Sequence, residues 1–386
     1  MQVKQLSSVQ GRRASCVRDR LDGGDTEGEY TLLRNRVSKL AAATAAGAML
    51  MAAAACGGSD AKDETSASAS SAAPEAKAKA KVGLAYDIGG RGDQSFNDAA
   101  AAGLDKAKGE FGLETKELET APGETDAQKE ERLRLLASSG FNPVIAVGFA
   151  YSASVKKVAA EFPDVKFAII DDADATGPNV SNLVFAEEQG SFLVGAAAAL
   201  KSKKGNVGFV GGVEVPLIQK FEAGFVAGAK AVKSDIKIQT KYLSQPPDFT
   251  GFNDPAKGKT AAQGMYDGGA DVVYQAAGGS GGGVFEAAKA AGAMAIGVDS
   301  DQAKTADAAV ADVIITSMLK KIDVAVYDFL KNFTSGSVKA GESRYDLKAG
   351  GVDFSTTGGK IDDIKAQLDE YKQKIVNGEI TVPTTP

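Results

Sequence analysis

The chain contains no histidine and no tryptophan, and its two cysteines, Cys16 and Cys56, both sit in the amino-terminal segment. Those absences remove His-dependent triads, Cys/His zinc sites and cysteine nucleophiles from the body of the protein. A basic stripe is missing as well. The 44 Lys and Arg are scattered among 50 Asp and Glu, for a formal charge of −6, whereas a nucleic-acid partner calls for a concentrated positive face. Long apolar runs are scarce: beyond residues 40–55 nothing in the sequence is fit to span a bilayer. What remains is a 386-residue chain with 44% hydrophobic and 24% charged residues. That composition is globular, with length for two domains and no signature of a metal or organic cofactor.

Arg34, Arg36 and Lys39 precede the apolar run 40–55, which ends in Ala53-Ala54-Ala55-Cys56-Gly57-Gly58. A basic stretch, a short apolar stretch and small residues before a cut make a secretory signal, and a Cys directly after them resembles a bacterial lipobox. Cys56 is therefore expected to become the first mature residue and to carry the lipid that anchors an extracytoplasmic protein to the cell membrane. An alanine-rich spanning helix is the rival, disfavoured because the run is shorter than the ~20 residues a span needs. The polar stretch ahead of Arg34 is out of place before a signal. Val37 can be read as the start, which leaves residues 1–36 as an upstream extension and Cys16 uninformative. From 57 to about 80 the sequence is mainly Ala, Ser, Lys, Glu, Asp and Gly. Such a stretch cannot bury enough apolar surface to fold and reads as a flexible tether.

From Lys81 onward apolar runs alternate with amphipathic ones. Strands are expected at 81–87, 143–147, 166–170, 207–210, 237–243, 271–276, 293–298 and 312–316. Helices are expected near 125–138, 152–161, 188–200, 216–230, 256–266, 284–291 and 319–332, with one more around Phe96, Ala100, Leu104 and Ala107. Continuous apolar strands separated by helices imply parallel sheets covered on both faces. The pattern restarts at Asn206, which favours two lobes of like topology. At the carboxyl ends of the strands stand Asp87, Gly148-Phe149, Asp171, Gly211-Gly212, Gly278-Gly279 and Asp299. Open α/β sheets bind ligands there. Three acids at three such ends point to a polar, hydroxyl-bearing ligand and away from a phosphate.

Each of these residues also has a plainer reading. Asp87 and Asp299 could cap helices, and Asp171 competes with Asp172 beside it. Phe221, Phe225 and Ala229 share one helical face, so Phe221 reads as core. The run 278–283 lacks the Lys-Ser or Lys-Thr of a phosphate loop and reads as a turn giving a ligand access to backbone. Arg91-Gly92-Asp93 spells an adhesion tripeptide, which chance explains well enough.

Val82-Gly83-Leu84-Ala85-Tyr86-Asp87-Ile88-Gly89-Gly90, followed by Asp93-Gln94-Ser95-Phe96-Asn97, resembles the opening signature of the basic membrane protein family of lipoproteins, which includes bacterial purine nucleoside receptors. Further stretches are similar: Pro216-Leu217-Ile218 to Phe221-Glu222-Ala223-Gly224-Phe225, Phe252-Asn253-Asp254-Pro255, Ala277-Gly278-Gly279-Ser280-Gly281, Gly297-Val298-Asp299-Ser300-Asp301 and Thr316-Ser317-Met318-Leu319-Lys320. The resemblance implies an α/β, two-lobed type I periplasmic-binding-protein fold with three crossovers. Lobe 1 would comprise 81–186 with a return segment about 319–345, and lobe 2 would comprise 187–318 with a carboxyl-terminal segment about 346–386. It further implies a non-catalytic, monomeric substrate-binding lipoprotein of an ABC importer that carries a nucleoside to a membrane permease. Asp87 and Asn97 would contact base or sugar, Phe96 would stack on the base, Asp171 would accept from the base edge and Asp299 would take the ribose hydroxyls. Phe252 would form the second aromatic wall, with Phe249 and Phe221 as competitors, and Lys320, placed at a helix start, would add a polar contact. Two rivals stand beside this reading. One is a secreted nucleoside hydrolase, which would need an aspartate cluster around calcium; the other is a ligand-sensing surface lipoprotein without a transport role.

Overall fold

The structure, a computed structural model, describes residues 79–121 and 123–386; the expected signal segment, Cys56 and the tether up to residue 78 lie outside them. The chain enters through β1 (Lys81–Ala85), α1 (Phe96–Phe111), β2 (Glu114–Leu118), α2 (Asp126–Ser138), β3 (Val144–Ala146), α3 (Ser152–Glu161), β4 (Phe167–Ile170) and β5 (Val180–Phe185). It then crosses to a second lobe made of α4 (Glu187–Lys201), β6 (Asn206–Val213), α5 (Pro216–Val232), β7 (Lys237–Ser244), α6 (Pro255–Asp267), β8 (Val272–Ala276), α7 (Gly281–Ala291), β9 (Met294–Asp299), α8 (Gln302–Thr305) and β10 (Ile314–Lys320). A second crossing returns it through α9 (Ile322–Thr334) and β11 (Gly341–Tyr345). A third takes it back through β12 (Val352–Phe354) and α10 (Lys365–Val376).

Two six-stranded sheets result, ordered β11-β5-β4-β3-β1-β2 and β12-β10-β9-β8-β6-β7. All neighbours run parallel except β12, which is antiparallel to β10. Burial explains the apolar strands: every residue of β3, β4, β6 and β8 is buried, as expected of parallel strands covered by helices on both sides. The helices begin and end where local chemistry dictates. Thr125 and Gln128 form a reciprocal capping box at α2, Pro216 opens α5, and Gly112 and Gly292 close α1 and α7 in left-handed conformation. In the first lobe α1 packs on α9, and in the second α4 packs on α5. Among the described residues no helix is long and apolar enough to cross a membrane.

For one expected site residue the element differs from the sequence expectation. Lys320 is the last residue of strand β10, not the start of a helix, because the strand runs to 320 and α9 begins at Ile322.

Candidate functional site

The carboxyl ends of both sheets enclose one cavity of about 540 Å³, its open mouth included. All eight residues expected to bind a ligand, Asp87, Phe96, Asn97, Asp171, Phe252, Gly278, Asp299 and Lys320, line it. Backbone geometry aims two of them. Asp171, directly after β4, and Asp299, the last residue of β9, have φ of 66° and 61°, a left-handed conformation that non-glycine residues adopt at a cost and that clusters at functional sites.

In the first lobe the loop between β1 and α1 is built around Asp93. Its carboxylate accepts the N–H groups of Ser95, Asn97 and Asp98 at 2.9, 2.9 and 3.1 Å, satisfying orphan donors at the start of α1. Asn97 braces the same loop. Its Oδ1 accepts from the Asp87 N–H at 2.9 Å, and its Nδ2 donates to Ile88 O and to Asp93 Oδ2. Both Asn97 amide hydrogens are thus engaged within the loop, leaving one acceptor lone pair to turn outward. Burial raises the carboxyls of Asp87 and Asp93 to about 6, against the pull of the backbone N–H groups they accept. Gly148, φ 98°, gives Asp87 its space: a Cβ there would fall 2.2 Å from Asp87 Oδ2. Asp93 is therefore turned inward and Arg91 pairs with Glu117 and Asp105, so the adhesion tripeptide is consumed by the loop.

At the floor, Lys320 is 2% exposed. Its Nζ donates to Asp171 Oδ2 at 2.5 Å and lies 3.1 Å from Glu187 Oε1, with the rings of Phe96, Phe185 and Phe221 at 5.3, 5.1 and 5.4 Å. Burial works against this ammonium, but Asp171, Glu187 and Asp299 more than offset it and hold its pKa above the ordinary lysine value. Burial pushes Asp171 and Asp299 up, against the pull of Lys320. The second oxygen of Asp171, Oδ1, is buried without a hydrogen-bond partner. Asp172 is spent on its own turn, accepting from the N–H groups of Asp174 and Ala175, which separates the two neighbours. Asp299 Oδ2 accepts from Ser95 Oγ at 2.6 Å across the lobes.

The aromatic lining also comes from both lobes. Phe96 and Phe149 line the cavity from the first lobe and Phe252 and Phe221 from the second, and Phe149 meets Phe252 edge-on with centroids 6.5 Å apart. Phe252 fits because a Cβ at Gly212 would sit 2.5 Å from its ring. Phe221, read from the sequence as core, is both buried and part of the cavity wall. The glycine run serves packing more than access: Gly278 lines the cavity, while Gly281 and Gly283 let α7 approach Gln275 and Pro255 O. The sequence reading noted Phe149 at a strand end and Asp93 in the family signature without giving either a site role, and passed over Glu187. Phe149 was signalled by its place after Gly148 at a strand end, and Glu187 by the acidic pair that follows β5. Among the described residues no three acids gather as a metal-binding group.

The sequence model of the family described as ABC transporter substrate-binding protein PnrA-like matches residues 79–386. A CD4+ T-cell-stimulating antigen of Listeria monocytogenes is 35% identical over 321 residues, covering 79% of this chain and 88% of its own. The ABC transporter nucleoside-binding protein BmpA of Lactococcus lactis is 34% identical over 330 residues, covering 80% and 91%. Among solved structures, an ABC transporter system solute-binding protein from Aeropyrum pernix aligns with a TM-score of 0.70 at 29% identity, covering 79% of this chain and 93% of that one. Twin parallel sheets, their acid-bearing strand ends and these likenesses agree: the chain has the type I periplasmic-binding fold and belongs to the Bmp family of PnrA-like ABC transporter substrate-binding proteins.

Proposed function

We propose that this protein binds a nucleoside, a purine nucleoside foremost, between its lobes and hands it unaltered to a membrane permease. It works as a monomer held at the outer face of the membrane by a lipid on Cys56. The observation that carries the reading is a single cavity in which aromatic rings and carboxylates converge from both lobes. Asp171 Oδ1, buried and unpartnered, asks for a donor such as a base N–H. Asp299, with one oxygen on Ser95, keeps acceptor capacity for vicinal hydroxyls. Phe96 and Phe252 supply faces for a heterocycle, and stacking on such faces contributes roughly 1–3 kcal/mol. A phosphate is disfavoured because Asp87, Asp93, Asp171 and Asp299 outnumber the lone Lys320 along the wall. The nucleoside-binding name of the Lactococcus relative favours the same ligand class.

Mass spectrometry of small molecules released from the purified protein by mild denaturation should identify an intact nucleoside. Calorimetry with a nucleoside panel should then show Asp299→Ala binding about 100-fold more weakly, the loss of two charge-assisted bonds. Unchanged affinity removes the ribose clamp. A panel in which nothing binds, or recovery of a split base and sugar, removes the function.

A further inference from the structure

A second set of contacts joins the lobes beside the cavity, centred on a residue that does not line it. Gln302, the first residue of α8, is 2% exposed. Its amide has only one orientation that fits. The Val298 N–H can only donate, so the atom it meets at 2.9 Å is Gln302 Oε1. Gln275 on β8 is fixed likewise: its Oε1 accepts from the Ala277 N–H at 3.0 Å, and its Nε2 donates to Gln302 Oε1 at 2.7 Å. Gln302 Nε2 is left pointing out of the second lobe, where it donates to Gln94 O of the first at 3.1 Å. Gln94 presents that carbonyl from a left-handed backbone, φ 55°, a strained conformation held only where surroundings impose it. Ser300 Oγ donates to the adjacent Ser95 O at 3.3 Å, and Thr305 Oγ1 reaches Gln94 O at 3.5 Å.

We propose that Gln302 is the closure residue of this protein, a buried amide that ties the second sheet to the β1–α1 loop and so sets how firmly the lobes stay shut. The link to the cavity is short, since Gln94 is followed by Ser95, which bonds Asp299, and by Phe96 on the wall. A solute that binds the shut form gains apparent affinity in proportion to the population of that form. Gln302 therefore acts on binding through the lobes, as a positioning residue.

Gln302→Glu tests this cleanly. It keeps the acceptor used by Val298 and Gln275 and replaces only the donor that faces Gln94 O. At pH 8, small-angle scattering of the variant alone should show a larger, more open particle than wild type. Adenosine and inosine, used as probes, should bind about tenfold more weakly. Burial at this position raises the introduced carboxyl above the ordinary glutamate range, so at pH 5 it is protonated and donates again, and both differences from wild type should vanish. Wild type is the control at each pH, because it carries the same Asp98, Asp299, Asp301, Lys304, Lys320, Lys321 and Asp323 around the adjoining depression. Gln302→Leu cannot donate at any pH and should remain open at both. Equal scattering of Gln302→Leu and wild type, or an opening of Gln302→Glu that pH 5 leaves in place, overturns the proposal. The affinity arm rests on the nucleoside reading and the scattering arm does not, so wild type that binds neither probe sinks that reading while the scattering still decides the role of Gln302.

Discussion

Lys320 is the residue on which the floor of the cavity depends. An isolated ammonium at that depth would cost several kcal/mol; Asp171 and Glu187 neutralise it, and three aromatic faces surround it. The dependence runs both ways. Lys320→Met fills similar space but leaves Asp171 buried with no counter-charge and Glu187 with only the Lys220 ammonium, 3.9 Å away, so urea unfolding should lose about 3–5 kcal/mol of stability, seen as a lower midpoint at unchanged slope. Adding Glu187→Gln to that variant should restore part of the loss, since one of the stranded charges is gone. From the residues alone Asp171 was legible only as half of the pair Asp171-Asp172, and the family resemblance chose between them. What distinguishes them is the turn after β4, where the N–H groups of Asp174 and Ala175 claim Asp172, and no spacing rule reveals which of two adjacent acids a turn will use.

Helices α4 and α5 show how closely backbone packs behind the site. A Cβ added at Gly224 would lie 2.1 Å from Glu188 O, and one at Gly228 would lie 1.9 Å from Phe192 O. Gly228→Ala should therefore cost about 1–3 kcal/mol through overpacking, even though alanine is the better helix former by ~1 kcal/mol; urea denaturation with a lower midpoint would register it. The pitch of such helices was legible from their apolar period, and so were the strands with continuous apolar runs, such as β4, β6 and β8. Strand β5 was not, because Ser181 and Asn182 give it a loop-like look. Both are buried, and their side chains are satisfied by carbonyls of neighbouring segments, Ser181 Oγ on Lys339 O and Asn182 Nδ2 on Asp172 O and Ala175 O. Missing β5 hid Glu187, which starts the helix directly after it. Strands β2 and β11 escaped for a different reason: they are edge strands with polar sequences, the half-buried ETKEL and the mostly exposed GESRY, and carry almost no apolar alternation.

At the scale of the whole molecule, the acids of the first-lobe loop set stability and binding against each other. Asp87 and Asp93 titrate at about 6 in the folded protein, against about 3.9 for an unfolded aspartate. A raised acid favours the folded state while protonated. Its contribution is complete below the unfolded value and disappears as pH climbs through the folded one. Between pH 7.5 and 5 each group contributes about 1.4 kcal/mol, so stability in urea should rise by roughly 3 kcal/mol as pH is lowered over that interval. On the proposed function, ligand binding through carboxylate acceptors has the opposite sign, because protonation of Asp87, and of Asp299, which burial also raises, would remove the charge that strengthens those bonds. Nucleoside affinity measured by calorimetry should accordingly fall over the interval in which the urea midpoint rises. A midpoint that also falls on acidification would mean that these carboxyls are not raised by burial, and the account of the loop as a desolvated wall of the cavity would fail with it.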